Sequence, residues 1–248
     1  ADVIFPASAQ PEKAGTYTNS NRQVQIGFPV RKTPGEAKQD WKLIVDLAKR
    51  CGLNWDYKNV SAVYTEMAST MSSLNNISWE RLEKDGAVCY PVDDETSFGN
   101  EILFSEGFPT SNGKAKIVPA DLMPPDERPN KKYPFILTTG RLLEHWHTGA
   151  MTRRSSMLEA QEPIPTVSMH PNDIRKLGLK RGENVLVETQ RGIIEILLRE
   201  DRDVSKGMLF IPFCFTESPA NKLTNPHLDP YGKIPEFKYA AARVYKVN

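Results

Sequence analysis

Apolar residues are spaced in two different ways along this chain, and the change falls near residue 130. Before it the spacing is helical. Trp41, Ile44, Val45, Leu47 and Ala48 share one face of a helix expected over Thr33–Arg50, opened by Pro34-Gly35 and stopped by Cys51-Gly52. Val60–Met71 and Trp79–Lys84 predict two more helices, separated by the polar run 72–76, with their apolar positions in a core. Asp2–Pro6 reads as a short buried strand and Glu12–Gln25 as a solvated turn. Phe98–Phe104 and Lys114–Val118 suggest a hairpin-like pair around Ser111-Asn112-Gly113.

Beyond Tyr133 the texture becomes β. Phe135-Ile136-Leu137 predicts a buried strand that ends in the small residues Thr138-Thr139-Gly140. Strands are also expected at Thr166–Met169, Glu183–Thr189, Gly192–Arg199, Gly207–Phe213 and Ala240–Val247. The one helix among them, Asn172–Leu177, starts at His170-Pro171-Asn172-Asp173 and closes at Gly178. His170 beside Pro171 suits a cap better than a metal ligand. Short strands without βαβ alternation predict a small barrel. The polar, proline-rich run from Asp121 to Lys132 is the best linker, so two domains are expected, 1–130 and 131–248.

Composition narrows the class only a little. The 248 residues carry 25% charged and 39% hydrophobic side chains and a net charge of +1. Those values suit a globular protein and give no case for nucleic acid or an anionic membrane. No apolar run is long enough for a membrane-spanning helix. Cys51, Cys89 and Cys214 are far apart and form no CxxC pair, which predicts reduced thiols, a cytoplasmic setting and no four-cysteine iron–sulfur site. The start at Ala1-Asp2-Val3, directly on a strand-like run, looks like a cut through a longer polypeptide.

Chemistry concentrates after the first β-strand. Arg141, His145, Trp146, His147, Thr148, Arg153 and Arg154 follow Thr139-Gly140 within a few residues. A strand, a glycine and a dense run of donors and rings suit a phosphate-bearing ligand with flat ring systems. A basic surface loop around a buried tryptophan is the other interpretation of the same residues. Asp40 fits a cap or first-turn carboxylate of its helix, and Asn221 fits either an Asx-turn or a ligand amide.

The order of these motifs resembles the molybdopterin oxidoreductase superfamily, and within it the C-terminal portion of formate dehydrogenase catalytic subunits. The family pattern of strand, TGR, HWHTG and MTRRS stands here between Thr139 and Ser155. Its ADVILPA and E-x-x-G-T-x-T-N-x-x-R-x-Q segments are matched around Ala7 and by Glu12, Gly15, Thr16, Thr18, Asn19, Arg22 and Gln25. Pro235-Glu236-Phe237-Lys238-Tyr239 matches a third segment, P-E-[YF]-K-x. The resemblance covers nearly the whole chain.

The resemblance implies an α/β portion of the central cofactor-binding region, followed by a six-stranded double-psi β-barrel, the molybdopterin dinucleotide-binding domain. It implies that Ala7, Asp40, Thr139, Gly140, Arg141, His145, Trp146, His147, Thr148, Phe213, Asn221, Phe237 and Lys238 bind the cofactor, with Asp40 on a guanine. That cofactor is bis-molybdopterin guanine dinucleotide around molybdenum or tungsten. The reaction is formate to CO2 or its reverse, and this chain supplies neither metal ligands nor catalytic residues. The Cys or selenocysteine, His and Arg that the chemistry needs lie in the N-terminal part of the subunit. Iron–sulfur clusters belong to that part or to electron-transfer subunits. Other readings are the large iron–sulfur subunit of NADH:quinone oxidoreductase, as a structural module, or another family enzyme acting on nitrate or formylmethanofuran.

Overall fold

The structure, a computed structural model, describes residues 1–247. It divides into two compact units, Ala1–Val118 and the residues from Pro119 onward.

The first unit holds a three-stranded antiparallel sheet: β1 (Gly15–Thr18), β2 (Gln23–Gly27) and β3 (Ala87–Cys89). Half of the stretch expected to be a solvated turn, residues 15–18 and 23–25, is therefore strand. Residues 19–22 turn between the two strands, and Asn19 Oδ1 accepts hydrogen bonds from the Asn21 and Gln23 N–H groups at 2.9 and 3.0 Å. The side chain that marked the turn thus also closes the hairpin. The helices are α1 (Asp40–Arg50), α2 (Val60–Ser69) and α3 (Trp79–Asp85). Asn59 and Ser78 cap α2 and α3 by accepting from Ala62 N and Arg81 N. Val24, Tyr64, Leu74, Ile77, Leu82 and Val88 form this unit's core.

Three expectations for this unit fail. Residues 2–6 form no strand, and Val3, Ile4 and Phe5 are exposed. Within this unit they meet no sheet edge, and a lone strand cannot satisfy its own backbone groups. Helix α1 begins at Asp40, not near Thr33, because Pro34 and a left-handed Gly35 hold the preceding chain in a turn. Phe98–Phe104 and Lys114–Val118 do not pair, and Ser111-Asn112-Gly113 is only a local turn.

The second unit is a closed six-stranded barrel. Its strands are β4 (Phe135–Gly140), β5 (Thr166–Met169), β6 (Asn184–Glu188), β7 (Ile193–Glu200), β8 (Met208–Pro212) and β9 (Ala240–Lys246). They close in the order β4-β8-β5-β7-β6-β9. Two pairs are parallel, β4 with β8 and β5 with β7, and the rest are antiparallel. This is the expected double-psi barrel. Alternation along β4 and β7 sends Phe135, Leu137, Ile194, Ile196 and Leu198 into a core with Val167, Val185 and Leu209.

Two short helices accompany the barrel, α4 (Ser156–Gln161) and α5 (Pro171–Lys176). His170 caps α5, its Nδ1 accepting from Asn172 N at 3.0 Å. Asp173 of α5 accepts from Gly207 N at 2.7 Å and so fixes the start of β8. The compact unit begins at Pro119, earlier than the boundary expected after residue 130. The linker is tied to the barrel by Glu127, which pairs with Arg191 and accepts from Ala241 N at 2.7 Å.

Candidate functional site

One rim of the barrel collects the motif residues of the second unit. β4 and β8 run in parallel from Ile136↔Met208 to Gly140↔Pro212, so both end at that rim. β9 is antiparallel to β4, with Leu137 opposite Ala240, so it begins there. Three segments therefore meet at one end of the barrel: 141–148, 213–224 and 234–239. Thr139 Oγ1 ties the last of them to β4 by donating to the Phe237 carbonyl at 3.2 Å.

Strand β4 ends at Gly140, the last of the three small residues Thr138-Thr139-Gly140. Thr138, Thr139 and Gly140 all pair with β8, and Gly140 O accepts from Phe213 N at 3.2 Å. Gly140 thus serves the ladder with β8, whereas the backbone of Thr139 points to the opposite side, beyond the last β4–β9 pair at Leu137↔Ala240. Gly140 has a packing reason as well. A Cβ there would stand 2.5 Å from the Phe210 ring.

After β4 the chain alternates between outward and inward side chains. Arg141 Nη2 donates to His147 Nε2 at 3.2 Å, and its guanidinium lies 6.0 Å from the Trp146 ring. The Trp146 and His147 rings meet edge to face at 4.6 Å, and His147 faces Phe213 at 6.4 Å. Arg141, Trp146, His147 and Thr148 are all exposed. A backbone φ of +49° at His147 turns its ring toward this outer group.

His145 departs from the expectation that it stands with them. It is 0% exposed, its Nε2–H donates to the Glu162 carbonyl at 2.8 Å, and its ring meets Phe215 edge-on at 5.7 Å. Its Nδ1 is buried without a hydrogen-bond partner. Here His145 braces the loop from inside. Arg153 is also turned away from the outer group. It donates to Glu159 at 3.2 and 3.0 Å and to Glu217 at 2.8 and 2.7 Å. The Glu217 carboxyl is held down at about 2, first by its hydrogen bond to Arg153. Motif matching passed over Phe215, Glu159, Glu162 and Glu217, because nothing in their local spacing marks them.

Asn221 is exposed on a 3-10 turn, Ala220–Lys222, above the β6–β7 turn. The two segments touch closely, since a Cβ on Gly192 would lie 2.9 Å from Lys222 O, and Arg191 Nη2 donates to Leu223 O at 3.2 Å. Phe237 and Lys238 are exposed, with the Lys238 ammonium 5.9 Å from the Phe237 ring. Within the first unit, Ala7 bridges Lys38, and Asp40 pairs with Lys13, whose hydrogen bond holds its carboxyl below the usual range. Among the described residues, no cluster of His, Cys, Asp or Glu could hold a metal ion.

The rim can therefore offer a guanidinium, an imidazole, an ammonium, an amide and three flat faces. Those groups suit an anionic dinucleotide with heteroaromatic ends. A closed six-stranded barrel with such a rim has the form of a ligand-binding domain, and the rim is its candidate site.

Comparison with known proteins gives that class its family. Residues 135–241 match the molydopterin dinucleotide binding domain, and residues 1–50 match molybdopterin oxidoreductase. The chain belongs to the molybdopterin oxidoreductase family. It is 39% identical over 249 residues to the F420-dependent formate dehydrogenase subunit alpha of Methanocaldococcus jannaschii. It is 37% identical over 249 residues to F420-dependent formate dehydrogenase 1 subunit alpha of Methanococcus maripaludis. In each case the match covers 100% of this chain and 37% of the relative. The assimilatory nitrate reductase catalytic subunit of Bacillus subtilis is 32% identical over 256 residues, covering 100% of this chain and 36% of that protein. The fold is shared with acetylene hydratase from Pelobacter acetylenicus at a TM-score of 0.73 and 22% identity, over 98% of this chain and 38% of that one. No helix among the described residues is long and apolar enough to cross a membrane.

Proposed function

We propose that this chain is the cofactor-binding part of a formate dehydrogenase alpha subunit, working on bis-molybdopterin guanine dinucleotide with molybdenum or tungsten. The observation that carries this is the meeting of three motif segments at one barrel rim, with Arg141, Trp146, His147 and Thr148 exposed beside Phe213. Structural upkeep alone does not call for an exposed Arg–His–Trp cluster.

The residues fit the group in kind. Arg141 carries charge-assisted donors for a diphosphate, and its contact with His147 leaves most of its N–H groups free. Trp146, His147 and Phe213 supply ring faces, while Asn221 and Lys238 supply donors for a heterocycle edge or a phosphate. Asp40 is assigned to the guanine N1–H and N2–H donors, which requires Lys13 to share or release it. Thr139, Gly140 and His145 act from behind this surface, and Ala7 lies in the backbone bridge that precedes α1. Bound there, the metal–pterin group supplies the two-electron chemistry that interconverts formate and CO2.

The catalytic Cys or selenocysteine, His and Arg, and the iron–sulfur clusters, are assigned to the remaining part of the subunit and its electron-transfer partners in the cytoplasm. The two F420-dependent relatives point to F420 as acceptor. Nitrate reduction is the second reading, favoured by the Bacillus subtilis relative. The deciding experiment is expression of the full-length subunit with its partners, followed by pterin and metal analysis and by assays with formate plus F420 and with nitrate plus a reduced dye. Stoichiometric pterin with formate-dependent F420 reduction is expected. Absence of pterin, or nitrate reduction alone, would replace the reading.

A further inference from the structure

The loops after β4 and β8 meet in two layers. In the outer layer His147 faces Phe213. In the inner layer His145 meets Phe215, two residues away on each strand of the crossing. Phe215 is 2% exposed and is held from a second direction by the Arg153 guanidinium, 4.7 Å from its ring. Arg153 belongs to the first loop, and its carboxylate partner Glu217 belongs to the second. Its other partner, Glu159, lies on α4. Four of its five N–H donors are engaged in this way.

We propose that Arg153 is a positioning residue: its fork, set between Glu159 and Glu217 over Phe215, latches the two rim loops in one register and so presents the outer Arg141–Trp146–His147–Phe213 surface. The effect on cofactor rests on the proposed function, whereas the latch itself lies wholly within this chain. Three physical points support it. A bidentate arginine–carboxylate pair fixes angle as well as distance, which a lysine cannot do. The aromatic ring beneath the guanidinium excludes water from one side of the pair. Gly149 leaves room for the Arg153 stem, since a Cβ there would lie 2.7 Å from Arg153 Cγ. The sequence puts Arg153 among the ligand donors, but its geometry leaves little donor capacity for a ligand.

The test uses the full-length subunit carrying Arg153→Met, which keeps the stem and removes the fork, and separately Glu217→Gln. Amide hydrogen exchange is followed in 141–155, in 213–218 and in β5 and β7. Exchange in both loops is expected to rise together by at least about tenfold, with the barrel strands unchanged. A rise throughout the barrel, or a rise in one loop only, overturns the latch. In a second arm, pterin retained after gel filtration is compared. Both variants are expected to lose it faster than the wild type, and Arg153→Lys to recover only part of the difference. Equal retention in wild type and variants, or full recovery with lysine, overturns the positioning role. A wild-type subunit that holds no pterin defeats the proposed function instead, and the exchange arm still decides the latch.

Discussion

His147 faces Phe213 across the barrel rim with ring centroids 6.4 Å apart and planes inclined at 44°. That relationship joins the ends of two strands that lie far apart in sequence and parallel in space. It also sorts the two histidines of one motif, leaving His147 outside and His145 within.

Arg141→Ala is expected to weaken retention of the pterin dinucleotide by about 1.5–3 kcal/mol, the range for a hydrogen bond to a charged group. Arg141 is exposed, so the melting temperature of the cofactor-free protein should hardly move. Pterin content at limiting cofactor, measured beside thermal unfolding, checks this. A large fall in melting temperature with unchanged pterin would assign Arg141 to the fold.

Gly149→Ala should destabilise the barrel unit by about 1–3 kcal/mol. The residue sits at φ +72°, and a Cβ would press on Arg153 Cγ at 2.7 Å and on the Cys214 carbonyl at 3.1 Å. Neither the backbone nor that carbonyl yields easily. The denaturant midpoint reports the change, and an unchanged midpoint would contradict the close packing described.

The Arg153–Glu217 pair gives stability a defined acid limb. The Glu217 carboxyl falls from 4.5 to about 2 in the folded state, so folding favours its charged form. Its contribution is present above pH 4.5, where both states are ionised, and is lost as pH falls through about 2. Glu217 is about half exposed, so solvent screening keeps the effect small. Unfolding midpoints from pH 5 to pH 2 should fall more gently in Glu217→Gln than in the wild type. Parallel curves would refute the assignment.

The three thiols should differ sharply in reactivity. Cys51 is exposed, while Cys89 and Cys214 are buried, and burial pushes the Cys214 thiol up to about 11. A disulfide reagent at pH 8 should titrate one thiol quickly and the other two only on unfolding. Mass spectrometry should place the fast adduct on Cys51, and rapid labelling of Cys214 would show that the rim loops open.

The sequence alone determined the barrel strands and the family. Apolar runs such as Phe135-Ile136-Leu137 and Gly192–Arg199, short and bounded by turn residues, read as strands, and the motifs from Thr139 to Ser155 are specific in kind and order. The caps at His170 and Gly178 were legible because capping is a local interaction. Tertiary structure decided what each polar residue faces. Gly140 looks like a mere turn glycine until β8 comes beside it and Phe213 N bonds its carbonyl. His145 and Arg153 look like ligand donors until Phe215, Glu162 and Glu217 arrive from distant positions to occupy them. The strand expected at Asp2–Pro6 fails for the complementary reason: local pattern can favour an extended chain, but only a neighbouring strand can pair its backbone. Spacing along a chain sets which side chains are near in sequence, whereas burial and hydrogen-bond partnership depend on segments that only the closed barrel brings together.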